Sequence, residues 1–227
     1  RPGHVAQSYD RLAPDYDPSW LVHLQPTTCR LLDTLPTVMP SGDLLDLGCG
    51  TGFAALQLAA RHPGRSILAC DFSPGMITVA RSRPGASAIQ WHLADLLDFL
   101  SARPPRSAAL AVAAWSAGYT HFPRFCRETR RVLVPGGRLA FVVNLADTLA
   151  PLHRAFRYCM QAHAAEPRCL ARFPFPRSPR AVRNALKHAG LAIERFEEGL
   201  CPITPHPASD GRLLPWLLRT GTLAGFE

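Results

Sequence analysis

Apolar residues along this chain gather in short continuous runs, separated by stretches of helical spacing. The first run, Leu44-Leu45-Asp46-Leu47, meets Gly48-Cys49-Gly50-Thr51-Gly52 at once, so it reads as a buried strand closed by a turn. Phe53, Leu56, Leu58 and Ala59 then recur at helical intervals until Pro63-Gly64 stops the helix, and a second apolar run, Ile67 to Cys70, ends in Asp71. Further strands are predicted over 88–93, 108–114, 139–143 and 191–196. Helices are predicted between them, from Pro74 with Ser73 as N-cap, from Leu96, over 122–133, and over 180–189 with Gly190 as C-cap.

The flanks follow other patterns. His4 to Asp17 reads as a helix that Pro14 must interrupt, with Tyr9 and Tyr16 seven apart on one face. Trp20 to Leu35 is a second predicted helix, and Pro36 to Gly42 is a connector. From Leu145 to Arg177 the strand pattern lapses. Leu149, Leu152, Ala155, Phe156, Cys159 and Met160 suggest one amphipathic helix, and Phe173-Pro174-Phe175-Pro176 a stiff loop. No convincing last strand stands out in 201–227.

Strand, glycine turn, helix, strand, acid is a nucleotide-binding unit. A dinucleotide fold spaces its glycines G-x-G-x-x-G; here they run G-x-G-x-G, with Asp46 two residues ahead of the first. A carboxylate there repels a pyrophosphate and suits a cationic ligand. Asp46-Leu47-Gly48-Cys49-Gly50-Thr51-Gly52 resembles motif I, D-x-G-x-G-x-G, of the class I S-adenosylmethionine-dependent methyltransferases. Three other segments resemble the same family: Asp71-Phe72-Ser73-Pro74-Gly75-Met76, Ala94-Asp95-Leu96-Leu97, and Arg131 to Leu139. The opening Tyr9-Asp10 to Tyr16-Asp17 is similar to that of the small-molecule members, including those of ubiquinone and menaquinone synthesis.

The resemblance implies an α/β fold with a Rossmann-like, doubly wound, mostly parallel sheet in a single domain. Residues 1–40 would form a helical cap, 41–144 the cofactor-binding core, 145–178 a helical lid after the fifth strand, and 179–227 the rest of the sheet and a tail. It implies S-adenosyl-L-methionine as cofactor, S-adenosyl-L-homocysteine as product, and a small-molecule acceptor whose reacting atom (O, N, C or S) is not specified. The glycine loop (Gly48, Cys49, Gly50, Gly52) and Asp46 would meet the methionine part and ribose, and Asp71 both ribose hydroxyls. Phe72, Met76, Ala94, Asp95 and Leu96 would surround the adenine, with Tyr16 and Trp115 closing the site. Met76 reads equally as a packing residue, and Asp95 as an N-cap.

Residues past the carboxyl ends of parallel strands face the ligand crevice. Trp115, Tyr119, His121 and Asn144 are therefore pocket candidates, with Tyr9 from the cap and His153, Arg157 and Tyr158 from the lid. Tyr119 and His121 are the candidates for a catalytic base; His121 reads at least as well as a solvated or capping residue. The fourth strand departs from the family pattern, with Ser107 and Ala108 where many relatives carry an acid. No N-P-P-Y or D-P-P-Y follows it, which disfavours the amino-methyltransferases acting on DNA adenine or glutamine.

Composition narrows this further. The formal charge is +8, yet Lys187 is the sole lysine among 25 basic residues, and the arginines are spread along the chain. That is the bias of a GC-rich bacterial genome and not a basic patch, so a nucleic-acid substrate is disfavoured. Seven scattered cysteines without Cys-x-x-Cys spacing read as reduced thiols in a cytoplasm. His153, His163 and His188 match no metal spacing, and no metal is expected. No run of about 18 apolar residues exists to span a membrane. A secretory signal pattern is not visible, and a chain opening at Arg1 reads as trimmed. The sequence leaves the oligomeric state open. Rival readings are a binding protein that keeps the cofactor site without transfer, a nicotinamide-dependent dehydrogenase, and an RNA methyltransferase.

Overall fold

In a computed structural model, residues 2–152, 154, 155, 158, 174–203, 217 and 220 are described. Five strands form one sheet in the order β3-β2-β1-β4-β5, every pairing parallel: β1 Asp43–Leu47, β2 Ile67–Asp71, β3 Gln90–Leu93, β4 Ala108–Ala114 and β5 Leu133–Val142. The order reverses between β1 and β4. That switch point opens a crevice at the carboxyl ends of the strands.

Alternation along the central strands divides the core between two faces. Leu45, Leu47, Leu68, Cys70, Ala111 and Ala113 point to one side, against α5 (Leu96–Ser101), α6 (Phe122–Val132) and α7 (Pro179–His188). Leu44, Ile67, Ala69, Leu110 and Val112 point to the other, against α2 (Val22–Asp33), α3 (Phe53–Arg61) and α4 (Pro74–Arg81). Because helices cover both faces, Leu44-Leu45, Ile67 to Cys70 and all of β4 are continuously apolar. The alanines of β4 let those helices approach the sheet closely. Leu44, Leu45 and Leu47 are completely buried, each contributing roughly 1.5–3 kcal/mol.

Capping follows the sequence. Ser73 accepts from Met76 N, Asp95 from Leu97 N and Asp98 N, and Ser178 from Ala181 N. Gly190, at φ 73°, closes α7, and Leu191 N reaches back to Leu186 O.

Two elements differ from expectation. The predicted strand over 191–196 is irregular. Leu191 and Phe196 both tuck into the core, but they lie five residues apart, which strand alternation cannot satisfy, and 192–195 are exposed. Arg183 lies over the Phe196 ring at 3.6 Å and holds that arrangement. β5 also begins earlier than Leu139. Leu133 already pairs with Ala108, and Pro135-Gly136-Gly137 bulges out before Arg138 joins Leu110.

At the N-terminus, α1 (Pro2–Leu12) leads through a 3-10 turn, Ala13–Asp15, and a π-helical turn, Asp17–Leu21, into α2. Pro14 and Pro18 sit in these tighter and looser turns, where each removes an amide donor. Of the predicted lid helix, residues 150–152, 154, 155 and 158 are helical, and His153, Phe156, Arg157, Cys159 and Met160 lie outside the described residues. Among the described residues, no helix is long and apolar enough to cross a membrane.

Candidate active site

The crevice collects one residue group from each strand end. In sheet order these are Asp95 after β3, Asp71 ending β2, Gly48 and Gly50 after β1, Trp115 and Ser116 after β4, and Asn144 after β5, all lining a single cleft. Phe72, Met76, Leu96, Tyr9, Tyr16 and Tyr119 line it too.

Glycine is required in the loop for two different reasons. Gly48, Gly50 and Gly52 all have positive φ, at 74°, 53° and 89°. A Cβ on Gly48 would strike Ser116 Cβ at 2.3 Å, and one on Gly52 would strike the Trp91 ring at 2.8 Å; these two are bare so that the protein can pack. A Cβ on Gly50 meets nothing within 4 Å, so Gly50 is bare towards the cleft. Its N–H donates to Asp71 Oδ2 at 2.8 Å, and Ser73 N donates to Asp71 Oδ1 at 2.9 Å. Asp71 thus ties the glycine loop to the start of α4. A carboxylate accepts about four hydrogen bonds, so acceptor capacity remains for a ligand.

Asp46 sits one layer deeper. It is 1% exposed, lies behind the loop instead of in the cleft wall, and its Oδ2 has no partner in the structure. An unpartnered buried carboxylate oxygen beside an open cleft suits a cationic ligand group. Burial pushes the Asp46 carboxyl up to about 7, against the lowering effect of the Ala55 backbone N–H and with the Asp71 charge adding to the rise. Asp71 is raised to about 6, by burial first, while the N–H groups of Ser73 and Gly50 hold it down.

A model of the family described as "Methyltransferase domain" matches residues 44–137, which span the glycine loop, Asp71, Asp95 and Trp115. The chain belongs to the class I S-adenosylmethionine-dependent methyltransferases. Malonyl-[acyl-carrier protein] O-methyltransferase of Dechloromonas aromatica is 34% identical over 194 residues, 83% of this chain and 65% of that protein. Trans-aconitate 2-methyltransferase of Methylobacterium nodulans is 38% identical over 131 residues, 56% of this chain and 47% of that protein. The chain therefore spans about half to two thirds of the length of these relatives. A solved S-adenosylmethionine-dependent methyltransferase from Mesorhizobium loti superposes with a TM-score of 0.56 at 25% identity, covering 82% of this chain and 88% of that one.

Above the loop of this methyltransferase domain lies a roof of rings. Tyr9 packs edge-on against Tyr16, Phe72 and Tyr119, with ring centres 6.1 to 6.2 Å apart, and Tyr119 packs against Phe175 at 5.5 Å. The Tyr9 and Tyr119 hydroxyls lie 3.0 Å apart. Burial raises the phenols of Tyr9, Tyr16 and Tyr119 above their ordinary range, so they stay neutral donors at pH 7. Tyr119 is consequently ill suited to act as a phenolate base. Trp115 holds φ 70°, rare for a bulky residue, and its indole donates to Thr28 Oγ1 at 3.1 Å.

Several predicted residues lie elsewhere. His121 is exposed and does not line the cleft; its Nδ1 accepts from Arg124 N at 3.2 Å and caps α6, because the chain turns outward before that helix. Tyr158 is 76% exposed and outside the cleft wall. Cys49 and Gly52 are buried behind the loop, and burial pushes the Cys49 thiol up, as for a packing residue. Met76 is buried to 1% and still touches the cleft, so packing and lining coincide. Asp95 likewise both caps α5 and lines the cleft, while Ala94 does not line it. His153 and Arg157 fall outside the described residues. Among the described residues, no group of three or more His, Cys, Asp or Glu gathers as a metal set.

Sequence reasoning missed Asp10, Asp17, Thr51 and Arg83. Asp10 Oδ1 accepts from Ser73 Oγ at 2.6 Å and Gly75 N at 2.9 Å, whereas Asp17 accepts from Thr51 Oγ1 at 2.6 Å and pairs with Arg83. The signal was present: an aspartate follows each of the two tyrosines, seven residues apart.

The two raised carboxyls carry a pH prediction. Their native values lie above the ordinary 3.8, so between about pH 4 and 7 the folded chain holds protons that the unfolded chain has lost. These groups therefore make the ligand-free fold less stable as pH rises through that window. A cationic ligand favours the ionised forms and reverses the trend, so its affinity should increase from pH 5.5 to 7.5. Thermal melts and calorimetric titrations at both pH values check this, and Asp46→Asn should flatten both dependences.

Proposed function

We propose that the protein transfers the methyl group of S-adenosyl-L-methionine to a small organic acceptor, releasing S-adenosyl-L-homocysteine. The observation that carries the reading is Gly50, open to the cleft and bonded through its N–H to Asp71 at the switch point of the sheet. The cofactor supplies an already activated methyl group on a positive sulfur. In this reading Asp71 holds the ribose hydroxyls with its remaining acceptor capacity. Gly50 gives the ligand close backbone contact. Asp95, Leu96, Phe72 and Met76 flank the adenine, and Asp46 opposes the positive charge from behind the loop.

The remaining work is alignment and exclusion of water. Positioning of this kind supplies on the order of 7–11 kcal/mol of a barrier, more than general base catalysis, at about 10²–10⁴-fold, contributes. Tyr9, Tyr16, Tyr119, Trp115 and Asn144 would line the acceptor side. Neutral phenols there orient an acceptor without taking its proton, which suits an acceptor arriving with an anionic oxygen or a ready lone pair. The two relatives named above act by name on malonyl-[acyl-carrier protein] and trans-aconitate, both carboxylic acids, so carboxylates are the first acceptors to try. The free cysteines Cys29, Cys49, Cys70, Cys126 and Cys201 fit a cytoplasmic setting, and the dispersed arginines fit a small acceptor better than nucleic acid.

The test is transfer of radiolabelled methyl from the cofactor to a panel of carboxylates, phenols, amines and thiols, and to cell-extract metabolites. Label in at least one small product is the expected result. Cofactor binding with no labelled product from any source would leave a binding protein instead, and NAD binding without any response to S-adenosyl-L-homocysteine would overturn the reading.

A further inference from the structure

Helix α1 is fastened to the domain by polar contacts. Of residues 5–12 only Ser8 is buried, and none belongs to either apolar cluster flanking the sheet. Its polar fixing is Asp10 on the start of α4, and just past its end Asp17 holds Thr51 and Arg83. The Tyr9 ring packs on Phe72 and Tyr119, and Tyr16 packs on the Trp20, Leu21 and Leu24 cluster. Each aspartate follows a tyrosine that lines the cleft. Fastening and roof therefore form one unit, used twice.

The place where Asp17 lands matters. Thr51 lies between Gly50 and Gly52 and is 2% exposed, so Asp17 grips the loop that faces the ligand. Beneath the roof Asp71 is only 7% exposed. Tyr9 and Tyr16 line the same cleft as Gly50 and Asp71. The packed rings of Tyr9 and Tyr16 resist opening, whereas the polar fastening beside them can let go locally. The side chains of Asp17 and Arg83 are 31% and 27% exposed, so water can compete for the pair as it parts.

We propose that Asp17 is a positioning residue that latches the tyrosine-bearing segment onto the glycine loop through Thr51 and Arg83, so that cofactor exchange requires this contact to break. The inference rests on the reading of the cleft as the cofactor site. Binding energy and roof closure are then coupled: a ligand that braces the glycine loop also braces Thr51, and through Asp17 it holds Tyr16 in place. Asp10 fixes the near end of the same segment and acts as its pivot.

The test measures association and release of S-adenosyl-L-homocysteine by stopped-flow fluorescence of the protein's tryptophans. Asp17→Asn keeps the side-chain shape and removes the charge facing Arg83. Release should quicken about tenfold, as expected when a charge-assisted contact is lost, with association changed less than about twofold. Thr51→Val, which removes the other partner of Asp17, should quicken release in the same direction. Asp15→Asn, on the same segment but exposed, should change neither rate. A merely structural role would lower the melting temperature without this split between the two rates. Release as slow as wild type in both folded Asp17→Asn and Thr51→Val overturns the latch and leaves the cofactor site standing. Failure of the wild-type chain to bind S-adenosyl-L-homocysteine overturns both.

Discussion

Gly50→Val yields a folded protein that no longer binds S-adenosyl-L-methionine, with affinity lowered at least about hundredfold, or roughly 2.7 kcal/mol. The expectation follows from where the side chain would go. A Cβ at Gly50 touches no protein atom within 4 Å, so the fold bears only the cost of a side chain at φ 53°, about 1–2 kcal/mol. The branched group would occupy the cleft itself. Gly50→Ala carries a similar backbone cost with less bulk, and should bind weakly instead of not at all. Neighbouring glycines serve as contrast: at Gly48 and Gly52 the new atom meets Ser116 or Trp91, so those variants lose stability and report nothing about a ligand. Calorimetric titration beside a thermal melt separates these outcomes. Wild-type affinity in a folded Gly50→Val protein would show that the ligand does not lie against this bend.

Legibility in the sequence tracked how local the determining physics was. The strand–glycine–helix unit from 43 to 71 could be read because its signals are short-range: positive φ demands glycine, and a continuous apolar run demands burial on both faces. The caps Ser73, Asp95 and Gly190 were legible for the same reason. The 191–196 segment misled because six mixed residues satisfy a strand pattern on paper, while Leu191 and Phe196 turn inward five residues apart. Of the two roles open to His121 in the sequence, the capping one holds, since sequence position after a strand does not say which way the next helix carries the chain. Asp10 and Asp17 went unassigned because their partners lie 34 to 66 residues away, a separation that no local pattern encodes. Acceptor chemistry was the least legible part, since a ring-lined cavity is assembled from the cap, β4 and the 174–176 loop, each too generic alone.

Asp71→Ala should weaken cofactor binding by about 1.5–3 kcal/mol, or roughly ten- to hundredfold, and should lower stability as well. Both effects have one cause. The two carboxylate oxygens already receive Gly50 N–H and Ser73 N–H, and alanine leaves those buried donors without an acceptor. The loop then loses its tie to α4 in addition to the ribose acceptor. Relief of the desolvation that raises Asp71 to about 6 offsets part of the stability loss, because a buried charge is removed together with its bonds. Asp71→Asn separates the two contributions: its carbonyl oxygen can keep one backbone donor, but its NH2 faces the other donor and cannot accept a hydroxyl proton. The asparagine variant should therefore be more stable than the alanine variant yet bind the cofactor nearly as poorly. If Asp71→Asn binds with wild-type affinity while its melting temperature falls, Asp71 is only a tie within the loop, and the ribose must be held by other groups.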